Sequence, residues 1–235
     1  MEYLASSFAR SLLITADTFV HQIARESASS LLEIVSISTG WDFSTQFLIR
    51  GFAHHSRFVY SSEFQKQWDS QFSKFPSLAE LALQIKSVNA KFDIAFVDPW
   101  HEVKDSFQLI EMALTRLRPG ATLVMHDCHP HDAELRSISV PENFPQPWSG
   151  STWAAWSLLT QSLSQGFSWM TIDADYGIGV LKVPEKRIQR RRLLRRVRSL
   201  SQRWISGDLP LPDWSSNPSH LHLVAATDPR VDAWV

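Results

Sequence analysis

Two short apolar runs that end in ionisable side chains constrain this chain more than any other feature. The first is Phe92–Val97, followed by Asp98-Pro-Trp-His101, and the second is Ala121–Met125, followed by His126-Asp127. Between them, the helical pattern ends in a turn at Arg118-Pro119-Gly120. Its apolar residues are spaced by four, three, four and three, as on one face of an amphipathic helix, and they are Val103, Phe107, Ile110, Leu114 and Leu117. Strand, helix, turn and strand form a βαβ unit, whose two strands are parallel neighbours.

The ends of these two strands predict a functional site. Parallel strands lie about 4.8 Å apart, so Asp98, His126 and Asp127 are expected at one carboxyl edge of the sheet. Open α/β sheets bind their ligands at this edge. Function is therefore expected there.

The rest of the chain predicts an α/β fold around this unit. After the second strand, Ser149 or Ser151 is expected to cap a helix. Two later strands are joined by a five-residue loop, as in a hairpin, which implies one antiparallel strand at the end of the sheet. The predicted elements are a leading helix at 3–24, strands at 31–37 and 57–60 with a helix at 42–52 between them, helices within 64–85, a helix at 151–165, and strands at 167–172 and 178–183.

Length and composition favour one globular domain with appendages. The chain has 235 residues, 44% of them hydrophobic, and its single cysteine, Cys128, suits a reducing compartment. Charged residues interrupt any apolar core at the N-terminus, which is unlike a signal peptide, and no stretch of about 18 apolar residues occurs. These features predict a cytoplasmic protein.

The net charge of −1 hides a basic segment. Residues 185–206 contain nine Lys or Arg and one Glu, which leaves the rest of the chain with a net charge of −9. Leu193, Val197, Leu200 and Trp204 follow helical spacing, so this segment predicts a basic amphipathic helix. Such a helix binds anionic membrane surfaces, or it docks on the acidic body of this chain or of a second subunit. No motif for reading a nucleic acid accompanies the charge.

Five short motifs occur in one order along the chain. They are Asp98-Pro-Trp-His101, Leu117-Arg-Pro-Gly120, Val124-Met-His-Asp127, Trp148-Ser-Gly-Ser-Thr-Trp153 and Asp173-Ala-Asp-Tyr-Gly-Ile-Gly179. Together they resemble class I S-adenosylmethionine-dependent methyltransferases, and among these the subgroup associated with sugar and glycan biosynthesis. The resemblance covers residues 31–183 and implies a Rossmann-like, doubly wound, mostly parallel sheet with an antiparallel last strand.

The resemblance also implies site residues. Some sugar O-methyltransferases of this superfamily bind Mg²⁺ through an aspartate after one strand and an acidic pair after the next, with a histidine as base. In this sequence Asp98 and Asp127 match metal ligands, His126 stands where glutamate is usual, and His101 matches the base. A bound divalent ion lowers the pKa of a substrate hydroxyl, and a histidine can accept its proton.

The cofactor motif leaves two functions open. Glu33 and Gly40 match the ends of the family's glycine-rich motif and are expected to border S-adenosylmethionine, but Val35 stands where its first glycine is usual. Ser61 or Ser62 takes the place of the usual acidic residue for the ribose. The preferred function is an O-methyltransferase acting on a sugar or glycan hydroxyl. The alternative is an inactive binding or scaffold protein in glycan assembly, associated with a membrane surface or forming a homo-oligomer.

Two further clusters each allow two interpretations. The first comprises one cysteine, three histidines and one aspartate within seven residues, either a zinc site or a polar loop over the sheet edge. The second is a set of three tryptophans that either stack on a ligand or belong to the core. Their residues are His126, Cys128, His129, His131 and Asp132 in the first, and Trp148, Trp153 and Trp156 in the second.

The sequence thus predicts four parts. They are an N-terminal helix at 1–30, a Rossmann-like methyltransferase domain at 31–184, a basic amphipathic helix at 185–206 and a C-terminal tail at 207–235 that has no assigned structure.

Overall fold

A computed structural model describes residues 34–39, 55–61, 63–142, 148–164, 166–214 and 220–232. Its strands are β1 Ile34–Thr39, β2 His55–Tyr60, β3 Phe92–Asp98, β4 Leu117–Met125, β5 Ser168–Asp173, β6 Ile178–Lys182 and β7 Leu223–Ala225. Its α-helices are α1 Glu63–Trp68, α2 Leu78–Ser87, α3 Val103–Arg116, α4 Thr152–Ser162, α5 Arg187–Ile205 and α6 Pro229–Asp232, with a 3₁₀ helix at Ser70–Lys74. The predicted helices at 3–24 and 42–52, and the cofactor residues Glu33 and Gly40, lie outside the described residues.

The seven strands form one sheet in the order β2-β1-β3-β4-β6-β5-β7. β1, β2, β3 and β4 pair in parallel, and β6 is antiparallel to both of its neighbours, β4 and β5. The prediction of a mostly parallel sheet, in which the last strand of the hairpin is antiparallel, is confirmed. The tail adds β7, which pairs in parallel with β5 and extends the sheet by one strand.

The βαβ unit lies at the centre of the sheet. α3 buries Val103, Phe107 and Ile110, three residues of the predicted apolar stripe, and it packs against α4 and α5. Burying each large apolar side chain contributes roughly 1.5–3 kcal/mol, so this stripe fixes the helix on the sheet. The strand that precedes α3 is buried along most of its length, as in a sheet covered on both faces.

The predicted Pro-Gly turn is wrong in one respect. α3 ends at Arg116 as expected, but Pro119 and Gly120 belong to β4. Phe92 pairs with Leu117 and Ile94 with Thr122, so β4 has three more residues than β3 over this interval and bulges. A bulge tolerates proline because it needs no ladder hydrogen bond there, and Gly120 takes a φ of +77°.

The basic helix α5 docks on the body. Leu193, Val197 and Leu200 are buried, and Arg198 Nε lies 2.7 Å from Glu111 Oε1 on α3. The apolar stripe of this helix therefore faces protein, whereas Arg187, Arg191, Arg192 and Arg195 are exposed. Among the helices that the structure describes, none has the length and apolar character needed to cross a bilayer.

Candidate active site

The carboxyl ends of β3 and β4 bring the predicted acidic and histidine residues together. Val97 pairs with Met125, the last residue of β4, and the His126 backbone N–H donates to the Val97 carbonyl over 3.0 Å. Asp98 therefore lies beside His126 and Asp127, as expected from neighbouring parallel strands.

Asp98, His101 and Asp127 form one cluster. A potential metal-ligand atom from each lies within 4.8 Å of the others, and His101 Nε2 is 3.2 Å from Asp127 Oδ2. Asp127 is the most buried of the three, with 4% of its side chain exposed. The structure thus brings together three of the residues to which the sequence assigned a role at this edge.

His126 lies among three carboxylates. Its Nδ1 is 3.4 Å from both Asp98 Oδ1 and Asp127 Oδ2, and its Nε2 is 3.3 Å from Asp175 Oδ2. Asp175 comes from the turn between β5 and β6 and had no predicted role. Its place in the Asp-x-Asp-Tyr-Gly motif was the only signal in the sequence that it belonged to this site.

These contacts set the protonation of the pair His126 and Asp127. Burial disfavours the imidazolium of His126, but the carboxylates of Asp127, Asp175 and Asp98 outweigh it and raise the pKa of His126 well above 6.5. Burial likewise disfavours the charged form of Asp127, yet His126 and His101 lower the pKa of this carboxyl. At neutral pH a cation at His126 therefore balances the carboxylates around it.

The Trp-x-Gly-x-x-Trp motif holds His101 in place. Trp148 packs edge-on to the His101 ring at 5.1 Å, and Trp100 stacks on it at 5.6 Å between ring centroids. The Ser151 backbone N–H and Oγ both donate to the His101 carbonyl, over 2.7 and 3.2 Å. The backbone of Gly150 passes so close that an added Cβ would lie 2.3 Å from that carbonyl oxygen.

These contacts correct the predicted cap of α4 and decide between the two interpretations of the tryptophans. Ser151 precedes α4 as expected, but its hydroxyl bonds His101 and makes no capping hydrogen bond to the helix. Trp153 and Trp156 are core residues, and Trp156 Nε1 donates to Thr171 Oγ1 over 2.8 Å. Trp148 is 5% exposed and packs on His101, so the ligand-stacking interpretation has no support from its contacts.

A buried tyrosine fixes the other side of the His101 segment. The Trp100 backbone N–H donates to the Tyr60 hydroxyl over 2.7 Å, and that hydroxyl lies 3.5 Å from Asp105 Oδ2. Burial, together with the nearby Glu102, raises the pKa of Asp105 to about 7. Tyr60 thus connects the end of β2 to the loop that carries His101.

Asp127 turns the chain where β4 ends. Its φ is +59°, in the left-handed region that only Gly, Asn and Asp adopt with any frequency. The chain then bonds to the β5–β6 hairpin, with the Cys128 N–H donating to Gly177 and the His129 N–H donating to Tyr176, both over 2.8 Å. The hairpin therefore holds the loop that carries the candidate site.

Two residues that the sequence analysis discussed for the cofactor lie in β1 and directly after β2. Val35 lies inside β1, paired with Ser56 and Ala95, so it is a strand residue and not part of the turn that follows the strand. A β-branched residue is favoured in a strand, so valine suits this position. Ser61, at the end of β2, is 1% exposed, and its Oγ has no hydrogen-bond partner among the described residues.

The five residues that the sequence allowed as a zinc site do not form one cluster. Cys128 Sγ faces the Met125 carbonyl. It also packs against Gly179, where an added Cβ would lie 2.6 Å from the sulfur. Burial raises the pKa of this thiol well above 9.0, whereas a zinc ligand must be a thiolate. His126 faces the carboxylates described above, and His129 and His131 meet Asp173.

A family model described as a methyltransferase domain matches residues 15–128. The curated proteins gave no match.

Several solved structures are similar in fold. An O-methyltransferase from Bacillus cereus in complex with SAH is 15% identical, with 77% of this chain and 89% of that chain covered and a TM-score of 0.42. An O-methyltransferase of tomaymycin synthesis from Streptomyces achromogenes, in complex with SAM, is 13% identical over 74% and 82% of the two chains, with a TM-score of 0.43. A methyltransferase from Pyrococcus furiosus is 13% identical over 73% and 85%, with a TM-score of 0.39.

The family match includes β1, β2, β3 and β4 up to the start of the loop after β4. It ends at Cys128, so it contains Asp98, His101, His126 and Asp127. The sheet continues beyond it through the reversed strand β6. Residues 15–128, which include these four side chains, thus match a methyltransferase domain.

Proposed function

We propose that this protein transfers a methyl group from S-adenosylmethionine to a hydroxyl oxygen of a sugar or glycan. The observation that carries the proposal is the pair of His101 and Asp127 at the carboxyl edge, 3.2 Å apart. An oriented histidine is the group that an alcohol needs in order to lose its proton. The choice of a sugar rests on the motifs that resemble the glycan-associated subgroup.

Asp127 selects the nitrogen that accepts the proton. It accepts a hydrogen bond from His101 Nε2–H, and this tautomer leaves the lone pair on Nδ1. Nδ1 is buried, without a hydrogen-bond partner among the described residues, and a buried polar atom of this kind usually has a partner in the working state. We assign the hydroxyl of the substrate to that role. His101 takes its proton, and Asp127 stabilises the resulting imidazolium.

S-adenosylmethionine, when bound, supplies a methyl group on a positively charged sulfur. The residues described here fit it at one position, since Ser61 presents a buried, unsatisfied hydroxyl where the ribose is expected. Ser61 also lines a cavity of about 820 Å³ that continues between α2 and α3. Glu33 and Gly40 remain the predicted residues at the methionine end.

A divalent ion fits a set of two carboxylates and one imidazole at this edge. Asp98 and Asp127 supply carboxylate oxygens and His126 an imidazole nitrogen, close enough to share one ion. Mixed oxygen and nitrogen donors suit Mn²⁺ and similar ions better than Mg²⁺, which prefers oxygen alone. Binding through His126 would release its proton, so the ion would replace the cation that the histidine supplies.

Titration of the full chain with S-adenosylhomocysteine tests the cofactor site. Calorimetry is expected to give saturable heat, with and without Mn²⁺ or Mg²⁺, and Ser61→Ala is expected to weaken binding about 3- to 10-fold because it removes one hydrogen bond. Ser87→Ala, at the end of α2, is the matched control and should bind like the wild type. Absence of heat at millimolar ligand would contradict the proposal and favour the inactive scaffold protein. Methyl transfer to a panel of nucleotide sugars and oligosaccharides, with catechols as the competing class, then tests the acceptor.

We further propose that α5 holds the protein at the inner, anionic face of a membrane by charge alone. Its apolar stripe packs on the body, but Arg187, Arg191 and Arg195 are exposed, and Ile188 and Ile205 are each 59% exposed. Each basic residue near an anionic surface contributes about 1 kcal/mol.

The triple variant R187Q/R191Q/R195Q is expected to lose most co-sedimentation with phosphatidylserine vesicles, because about 3 kcal/mol corresponds to more than 100-fold in affinity. Deletion of the whole helix is unsuitable because it also removes buried Leu193, Val197 and Leu200. The control is K66Q/K74Q/K86Q, which removes equal charge elsewhere. Equal binding by both triple variants would contradict the role of α5.

A further inference from the structure

A second histidine and carboxylate cluster lies at the end of β5, beside the turn between β5 and β6. It comprises His129 and His131, from the loop after β4, and Asp173, the last residue of β5. One potential ligand atom from each lies within 4.8 Å of the others. Two aspartates of the hairpin thus contact different histidines. Asp175 contacts His126, and Asp173 belongs to this second cluster.

The three side chains lie close together, but their polar atoms are poorly aligned for hydrogen bonds with one another. His131 Nε2 is 2.8 Å from Asp173 Oδ1, and His129 Nδ1 is 3.4 Å from the same oxygen. Despite these short distances, neither His129 Nδ1 nor Asp173 Oδ1 has an aligned hydrogen bond among the described residues. Atoms that are close but not directed at each other have the arrangement of ligands around a shared point.

The most buried ligand of the cluster is held rigidly. Trp214 stacks on the His129 ring at 4.8 Å with 16° between the planes, and Arg136 lies 3.9 Å above Trp214. Gly177 packs so closely on the backbone of this residue that an added Cβ would lie 2.1 Å from the backbone nitrogen of His129. A ligand fixed in this way loses little conformational freedom when an ion binds.

We propose that His129, His131 and Asp173 bind Zn²⁺, or a divalent ion of similar character, at a site separate from Asp98 and Asp127. Two imidazoles and one carboxylate are a usual set of three protein ligands for zinc, with water in the fourth position. His131 is 64% exposed, so an ion can enter from solvent. The bound ion would tie the loop after β4 to the hairpin, and this loop also carries His126 and Asp127.

Zinc titration of the metal-free full chain tests this site. The wild type is expected to bind Zn²⁺ with micromolar or tighter affinity and to gain thermal stability from it. His131→Ala and Asp173→Asn should each weaken binding at this site about 100-fold or more, because even partners outside the first shell change metal affinity 10- to 100-fold. The exposed position of His131 makes its substitution compatible with folding.

Asp132→Asn is the matched control, since Asp132 adjoins His131 in sequence but is not one of the three clustered ligands. It should keep zinc binding and the zinc-dependent stability. Asp98→Asn should also keep this site, which separates it from any ion at the candidate active site. The proposal is overturned if the wild type binds zinc only at millimolar concentration, if either His131→Ala or Asp173→Asn binds like the wild type, or if Asp132→Asn or Asp98→Asn removes this site.

Discussion

Replacement of His101 by asparagine is expected to lower kcat for methyl transfer about 10²- to 10⁴-fold, the usual contribution of a positioned general base. The variant keeps a polar side chain but has no nitrogen that can take a proton from a hydroxyl. Steady-state kinetics with an acceptor from the sugar panel measures the effect. Affinity for S-adenosylhomocysteine should change less than about twofold, because a base that acts on the acceptor contributes little to holding the cofactor.

His222→Asn is the control for this variant. His222 is exposed and stacks on Trp169 at 4.5 Å, and its φ of +48° suits asparagine. Its kcat should match the wild type. Equal activity of His101→Asn and the wild type would eliminate His101 as the base, whereas loss of cofactor binding in His101→Asn would assign this residue to binding instead.

Replacement of Gly150 by alanine is expected to lower kcat about 10²-fold, although Gly150 has no chemical group that could take part in the reaction. The added Cβ would lie 2.3 Å from the His101 carbonyl oxygen and 2.5 Å from the His101 Cβ, so the catalytic segment has to move. A displacement of about 1 Å from the working geometry costs roughly 10²-fold in rate. The same kinetic assay measures this variant.

Gly207→Ala separates this displacement from backbone strain. Gly207 has a φ of +79°, comparable to the +53° of Gly150, but no atom lies within 4 Å of its added Cβ. Both variants place alanine in the left-handed region, at a cost of about 1 kcal/mol each. Gly207→Ala should therefore lose some stability but no activity. Similar activity in the two variants would mean that Gly150 does not position His101.

The elements that the sequence predicted well are those with a repeating pattern. The apolar stripe predicted that α3 begins at Val103, and it predicted the end of the helix to within one residue of Arg116. The stripe of α5 predicted a helix but left its partner open, and the structure places Leu193 and Val197 against the body. Periodicity shows which face of an element is apolar, but it does not show what covers that face.

The parts that the sequence missed depend on contacts between distant residues. β7 has three residues, too few for a period of two, and it exists because β5 offers an unpaired edge. Asp173 and Asp175 contact histidines that lie about 45 residues earlier in the chain. These contacts form because the β5–β6 hairpin packs on the loop after β4, which the spacing of residues in the sequence does not show. Asp98 and Asp127 were predictable because neighbouring parallel strands end together.

The left-handed turn at Asp127 has a consequence for the homologues of this chain. Successive side chains of a strand point to opposite faces, so His126 and Asp127 reach the same cluster only because the chain leaves the extended conformation there. Homologues that keep this turn are expected to favour Asp, Asn or Gly at this position. Asparagine or glycine there would mark homologues that keep the turn but lack the carboxylate. One column of an alignment would therefore separate active from inactive branches.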